Sequence, residues 1–88
     1  MDIARTPIAE RLARTLAGQR ISANAEGDRE SAAAEIDRAW RDYLPDALAV
    51  LRQMREPDAA MAAAGDVAVW ERMVLAAIDE ARPKTVVM

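Results

Sequence analysis

The sequence predicts an all-α protein, a small helical bundle of three main helices plus one short helical turn, and three observations carry that prediction. Apolar residues recur at three- and four-residue spacing in three separate stretches; no stretch shows the period of two that a half-buried strand requires; and Pro57, Gly65 and Pro83 fall where the periodic stretches stop. With 88 residues the chain has room for one domain, 1–88, because two cores would each be too small to stabilise themselves. Its 52% hydrophobic content suits a globular protein, but 21 of those residues are alanine and none is phenylalanine. A buried Leu, Ile or Val contributes about 1.5–3 kcal/mol, against a backbone ordering cost of about 1–2 kcal/mol per residue. An alanine-rich monomer is therefore expected to be marginal and to gain from a partner, and a homodimer or an unidentified protein partner is the expectation.

The first helix opens at Thr6-Pro7, a hydroxyl at the N-cap followed by a proline whose missing N–H costs nothing there. Ile8, Leu12 and Leu16 form its apolar stripe with Ala9 and Ala13 beside them, Glu10 and Arg14 pair one turn apart, and Gly18 predicts a stop between Ala17 and Ile21. Ser22–Glu30, small and polar with a glycine, reads as a flexible connection; its acids lack the alternating ligand positions and closing glutamate of an EF-hand loop.

The longest pattern starts at Ser31. Ile36, Trp40, Tyr43, Ala47, Leu51 and Met54 follow at spacings of four and three, which predicts a helix to Arg55 extending about 37 Å. Pro45 removes the hydrogen bond to the carbonyl of Arg41; since the apolar phase continues across it, a kink is expected in preference to a restart.

The stretch MREPDAAMAAAG, Met54–Gly65, makes the next corner. Glu56 before Pro57 should leave the α region, Pro57 should be the first residue of a short helical turn with Asp58 near its positive end, and Gly65 should close it in the left-handed conformation. Asp66 then caps a helix over Val67–Arg82, with Val67, Trp70, Met73, Val74, Ala77, Ile78 and Ala81 on its apolar face and Pro83 ending it. Residues 83–88 are left as a tail, of which Thr85–Met88 is apolar and could fray, pack across a dimer or insert into a partner groove.

The pattern Trp40-x-x-Tyr43, Ala47, Leu51, Met54-Arg55-Glu56-Pro57, Met61, Ala64-Gly65, Trp70-x-x-Met73 and Ala76-Ala77-Ile78 resembles a group of small helical proteins of alphaproteobacteria and their phages. The resemblance implies a helical fold and a bacterial or phage origin; the group has no established activity, so it implies no substrate.

Composition removes several chemistries. With no cysteine and no histidine there is no disulfide, thiol nucleophile, zinc finger or imidazole acid–base pair. No apolar run approaches the roughly 18 residues of a membrane span, and charges run through the first twenty residues, so the cytoplasm is the expected location. A net charge of −3 gives no overall positive field for nucleic acid or anionic membranes. The charge is uneven, however: Arg5, Arg11, Arg14 and Arg20 outweigh Asp2 and Glu10 in the first 21 residues.

Candidate residues follow from these patterns. Trp40, Tyr43, Leu51, Met54, Met61, Trp70 and Met73 are expected to form the core or a protein interface, the aromatics filling space between alanine-rich helices. Arg5, Arg11 and Arg14 carry the alternative, a small DNA-associated regulator using its first helix. That helix-turn-helix reading lacks a basic recognition helix, because the last helix sets Glu71, Asp79 and Glu80 against Arg72 and Arg82. The carboxylates lie mostly off the apolar stripes or at caps, so no catalytic residue, metal site or cofactor is assigned. Small side chains are expected to let the helices nestle without leaving a hollow for chemistry. The expected role is that of a non-enzymatic interaction or accessory module acting through apolar helix faces.

Overall fold

A computed structural model of the chain describes residues 3–24 and 29–82. It is all-α: α1 spans Ile8–Asn24, α2 Arg29–Ala39, α3 Leu44–Met54, α4 Ala59–Ala64 and α5 Val67–Ala81. A 3-10 turn, Trp40–Tyr43, joins α2 to α3, so these two form one long helical rod, and the bundle consists of that rod, α1, α5 and the short α4. The tail at residues 83–88 and the connecting residues 25–28 lie outside the described residues.

α1 departs from expectation at both ends. Its first backbone bond runs from the Arg11 N–H to the Pro7 carbonyl at 3.1 Å, so Pro7, not Thr6, occupies the cap position. At the other end α1 continues through Gly18 to Asn24, and α2 begins at Arg29, so the connection is shorter than 22–30. Gly18 is a packing position instead of a stop: a Cβ built there would come 3.4 Å from the Ile36 Cδ1 of α2. Packing against a neighbouring helix outweighs the ~1 kcal/mol that an internal glycine costs.

Pro45 restarts the rod where a kink was expected. The Arg41 carbonyl, which Pro45 cannot bond, accepts instead from the Leu44 N–H in a 3-10 bond. Pro45 then falls in the first turn of α3, where no N–H is needed. Because the turn is itself helical, the apolar face stays in phase: Ile36, Trp40 and Tyr43 are half-buried, Ala47 and Leu51 buried.

Three alanines line the most deeply buried edge of α1. Ala9, Ala13 and Ala17 recur every four residues and are buried, while Ile8, Leu12 and Leu16 flank them half-buried, the reverse of the predicted emphasis. Small side chains on this edge let α1 lie along α2, the 3-10 turn and α3, and α5 packs across α3 and α1. The core proper joins Ala9, Leu51, Val74 and Ile78, surrounded by Ile8, Leu12, Leu44, Leu48, Trp70, Ala77 and Ala81. It is thin. The radius of gyration is 15.7 Å, against about 12 Å for a compact chain of this length.

The corner after α3 follows the sequence closely. α3 ends at Met54 ahead of Glu56-Pro57, and α5 ends at Ala81 with Arg82 extended (ψ 139°), as a residue preceding proline prefers. Two details differ. Asp58 is itself the N-cap of α4, its Oδ1 accepting from the Met61 N–H at 3.0 Å, so Pro57 lies outside the helix. Gly65 is extended (φ −162°, ψ −165°) and not left-handed. The chain leaves α4 directly into the extended Asp66, whose Oδ1 accepts from Ala68 at 2.9 Å and Val69 at 3.2 Å. A cap that starts the next helix so soon leaves no space for a left-handed C-terminal turn.

Candidate functional site: an apolar groove between α4 and α5

Every residue of α4 is exposed, and the helix lies at the edge of the bundle. Between it and the start of α5 an open groove of about 380 Å³ is lined by Pro57, Met61, Ala64, Gly65, Asp66, Val67, Val69, Trp70 and Met73. The expectation of no hollow is therefore corrected. Alanine closes the gap between α1 and the rod, but α4 is too short and too small in its side chains to cover the first turns of α5.

Trp70 anchors the groove. Its indole Nε1–H donates to the Met54 carbonyl at 2.7 Å, satisfying one of the last carbonyls of α3, which have no partner within their own helix. One side of the residue packs on the core while it also lines the groove, so the hydrogen bond sets both the α3–α5 corner and the groove wall. Across the same corner Arg55 meets Glu71 at 3.4 Å, an exposed pair of little energetic weight. Trp70→Phe keeps a ring and deletes the donor; it should cost about 1 kcal/mol, lowering the melting temperature by about 4–8 °C. Thermal unfolding followed by circular dichroism measures this.

Chemically the groove is lined mainly by apolar side chains. Asp66 is its single ionisable residue, and its Oδ1 is committed to two backbone N–H groups. No group of carboxylates that could hold a metal ion occurs among the described residues. Nothing in the lining forms an acid–base pair or a nucleophile with a neighbouring base.

The predicted interface and core residues divide among four places. Met61, Trp70 and Met73 come together in the groove; Leu51 is in the core; Met54 is exposed and contributes its carbonyl to Trp70. Trp40 and Tyr43 are half-buried in the 3-10 turn beside α1. Pro57, Val67 and Val69 complete the groove. Val69 was legible only as an apolar residue off the buried stripe, and Val67 was assigned to the covered face. The Trp70 donor had no signal in the sequence, because its acceptor is a main-chain atom 16 residues away.

Of the arginines singled out for phosphate, Arg14 and Arg11 make contacts within the chain. Arg14 is spent internally: Nε bonds Glu10 Oε2 at 2.8 Å, Nη1 bonds Asp37 Oδ1 at 2.8 Å, and the guanidinium lies 5.1 Å from the centroid of Trp40. Hydrogen bonds to Asp37 first and Glu10 second raise its pKa further above the ordinary arginine value. Arg41 covers the same ring at 4.6 Å, so Trp40 carries two cations and clamps α1 to the rod. Arg11 donates from Nε to the Thr6 carbonyl at 3.2 Å, and Arg5 is exposed. No helix of the described residues is long and apolar enough to cross a membrane.

Comparison of the chain with protein-family models, curated proteins and solved structures finds no match, so its role is argued from this geometry.

Proposed function

We propose that this chain is a non-enzymatic interaction module, and that the apolar α4–α5 face docks on a second copy of itself. The observation that carries the reading is the exposed apolar surface continuous with the groove: Met73 is 62% exposed, and Met61, Val67 and Val69 are exposed beside it. Ala76, also exposed, lies one turn beyond Met73, so Val69, Met73 and Ala76 make a stripe along α5 on the flank away from Val74 and Ile78. Large apolar side chains grouped in this way on a thin core favour burial against a partner.

Charge placement supports a self-complementary contact. Arg72 and Asp79 are exposed, seven residues apart and hence on the same flank of α5, beside the stripe. Two α5 helices related by a two-fold axis and running antiparallel bring Arg72 of each copy opposite Asp79 of the other, twice over. Glu80, exposed one turn beyond Ala76, lies on the stripe itself, so the contact must leave its carboxylate at the rim.

Light scattering at micromolar concentration should give twice the chain mass of 9.6 kDa. Met73→Glu should return it to monomer, raising the dissociation constant at least ~100-fold, with helical content retained because Met73 is not part of the core. A monodisperse monomer of the unaltered chain overturns the reading. Retardation of duplex DNA that weakens steeply with salt would replace it with the arginine-helix alternative.

A further inference from the structure

We infer that Met73 and Met61 are modification sites, whose thioethers a peroxide oxidises to sulfoxides, and that this conversion switches off the α4–α5 face while leaving the fold in place. The inference rests on the self-docking proposed above and adds its regulation.

Sulfur in this chain is confined to methionine, because there is no cysteine to compete for an oxidant. Met54, Met61 and Met73 are the methionines among the described residues, and they are exposed at 38%, 42% and 62%. None belongs to the core of Ala9, Leu51, Val74 and Ile78, nor to the side chains packed against it. A thioether has no proton whose loss must be assisted, so access governs its reaction, and Met73 is the most accessible of the three.

Two of these methionines converge. Met61 comes from α4 and Met73 from α5, and both line the groove, with Trp70 one turn before Met73. Met54, at the end of α3, is exposed but does not line it. Oxidation of the first pair therefore puts polar groups on the docking face, and Met54 supplies a comparison of similar exposure outside the groove.

The lining has little with which to satisfy a sulfoxide. The new oxygen is a hydrogen-bond acceptor, hydrated when exposed and costly when buried without a donor. Among the side chains lining the groove, the Trp70 indole N–H is already donated to the Met54 carbonyl, and the Asp66 carboxylate accepts. The others, from proline, methionine, alanine, glycine and valine, carry no donor. Docking an oxidised face thus loses water from the sulfoxide and returns nothing from the groove.

The chemical step is a two-electron oxygen transfer. A lone pair on the Met73 sulfur attacks one oxygen of hydrogen peroxide; the S–O bond forms as the O–O bond breaks, and the departing hydroxide takes the proton of the transferred oxygen and leaves as water. Sulfur is oxidised, the peroxide is reduced, and an apolar side chain becomes a polar, chiral one that sulfoxide reductases can restore.

The test treats the full chain with hydrogen peroxide and follows modification, association and fold together. Peptide mass mapping should place oxygen on Met73 ahead of Met54, the dimer dissociation constant should rise at least about tenfold, and circular dichroism should show helical content retained. Combining Met61→Leu with Met73→Leu keeps the face apolar and removes its sulfur, so peroxide should leave that dimer intact, whereas Met54→Leu should remain as sensitive as the unaltered chain. A dimer that survives with Met73 and Met61 oxidised, oxidation of Met54 with Met73 spared, or equal dissociation of the Met61→Leu, Met73→Leu variant overturns the switch while leaving the self-docking standing. A chain that is monomeric before peroxide is added removes both.

Discussion

Leu51→Ala should unfold a large share of the molecules at physiological temperature. Leu51 is 1% exposed and is the largest fully enclosed side chain among the described residues, lying where α3 meets Ala9 of α1 and Val74 and Ile78 of α5. Deleting its outer carbons loses their transfer energy and leaves a cavity, together costing about 2–5 kcal/mol. A domain of this length has about 4–13 kcal/mol to lose, and the thin core places it towards the lower end. The melting temperature should fall by about 10–30 °C, read by circular dichroism, with Gln53→Ala on the exposed side of the same helix changing stability by no more than ~0.5 kcal/mol. A fall of only a few degrees for Leu51→Ala would mean that α5 does not seat on α3 as described.

Ala13→Leu is the complementary case, in which adding carbon should harm the fold as much as removing it. Ala13 is 0% exposed, midway along the Ala9–Ala13–Ala17 edge that lies against the long rod. Three extra carbons must either displace the side chains packed on this edge or push α1 away from its neighbours, a cost of about 1–3 kcal/mol and more if they cannot yield. A shift of α1 would also pull Arg14 from Asp37 and from the Trp40 ring, so tryptophan fluorescence should change together with the melting curve. Leucine is a good helix former. Destabilisation by Ala13→Leu therefore reports interhelical closeness, and an unchanged melting temperature would refute it.

The groove differs from these core sites in what it can tolerate. Its walls are exposed side chains on a six-residue helix and on the first turns of α5, so substitutions at Met61 or Met73 should alter association far more than folding. Core and groove meet in one residue, Trp70, which both packs against the core and donates to the end of α3. The two sets of variants therefore separate stability from association, with Trp70→Phe expected to affect both.

Local chemistry was sufficient for the architecture and for most boundaries from α3 onward. Pro57 and Pro83 follow helix ends because a proline disfavours the α conformation in the residue before it, and Asp66 starts α5 because its side chain accepts from two N–H groups that lack a helical partner. Val74 and Ile78 were legible as buried because a four-residue spacing puts them on one face whatever that face meets. These are interactions over a few residues, and a sequence records them directly.

Only the tertiary structure decided the rest. Periodicity marks a face as apolar but not as covered, so Met73 and Val67 read as core until the short α4 left them open. Gly18 reads as a helix stop until Ile36 packs on it, and Arg14 reads as paired with Glu10 alone until Asp37 and Trp40, distant in the chain, close around it. Helix type and phase follow from neighbours along the chain. Which faces are closed, and which are left as a groove, follows from how long each helix is and how near its side chains let the next one come.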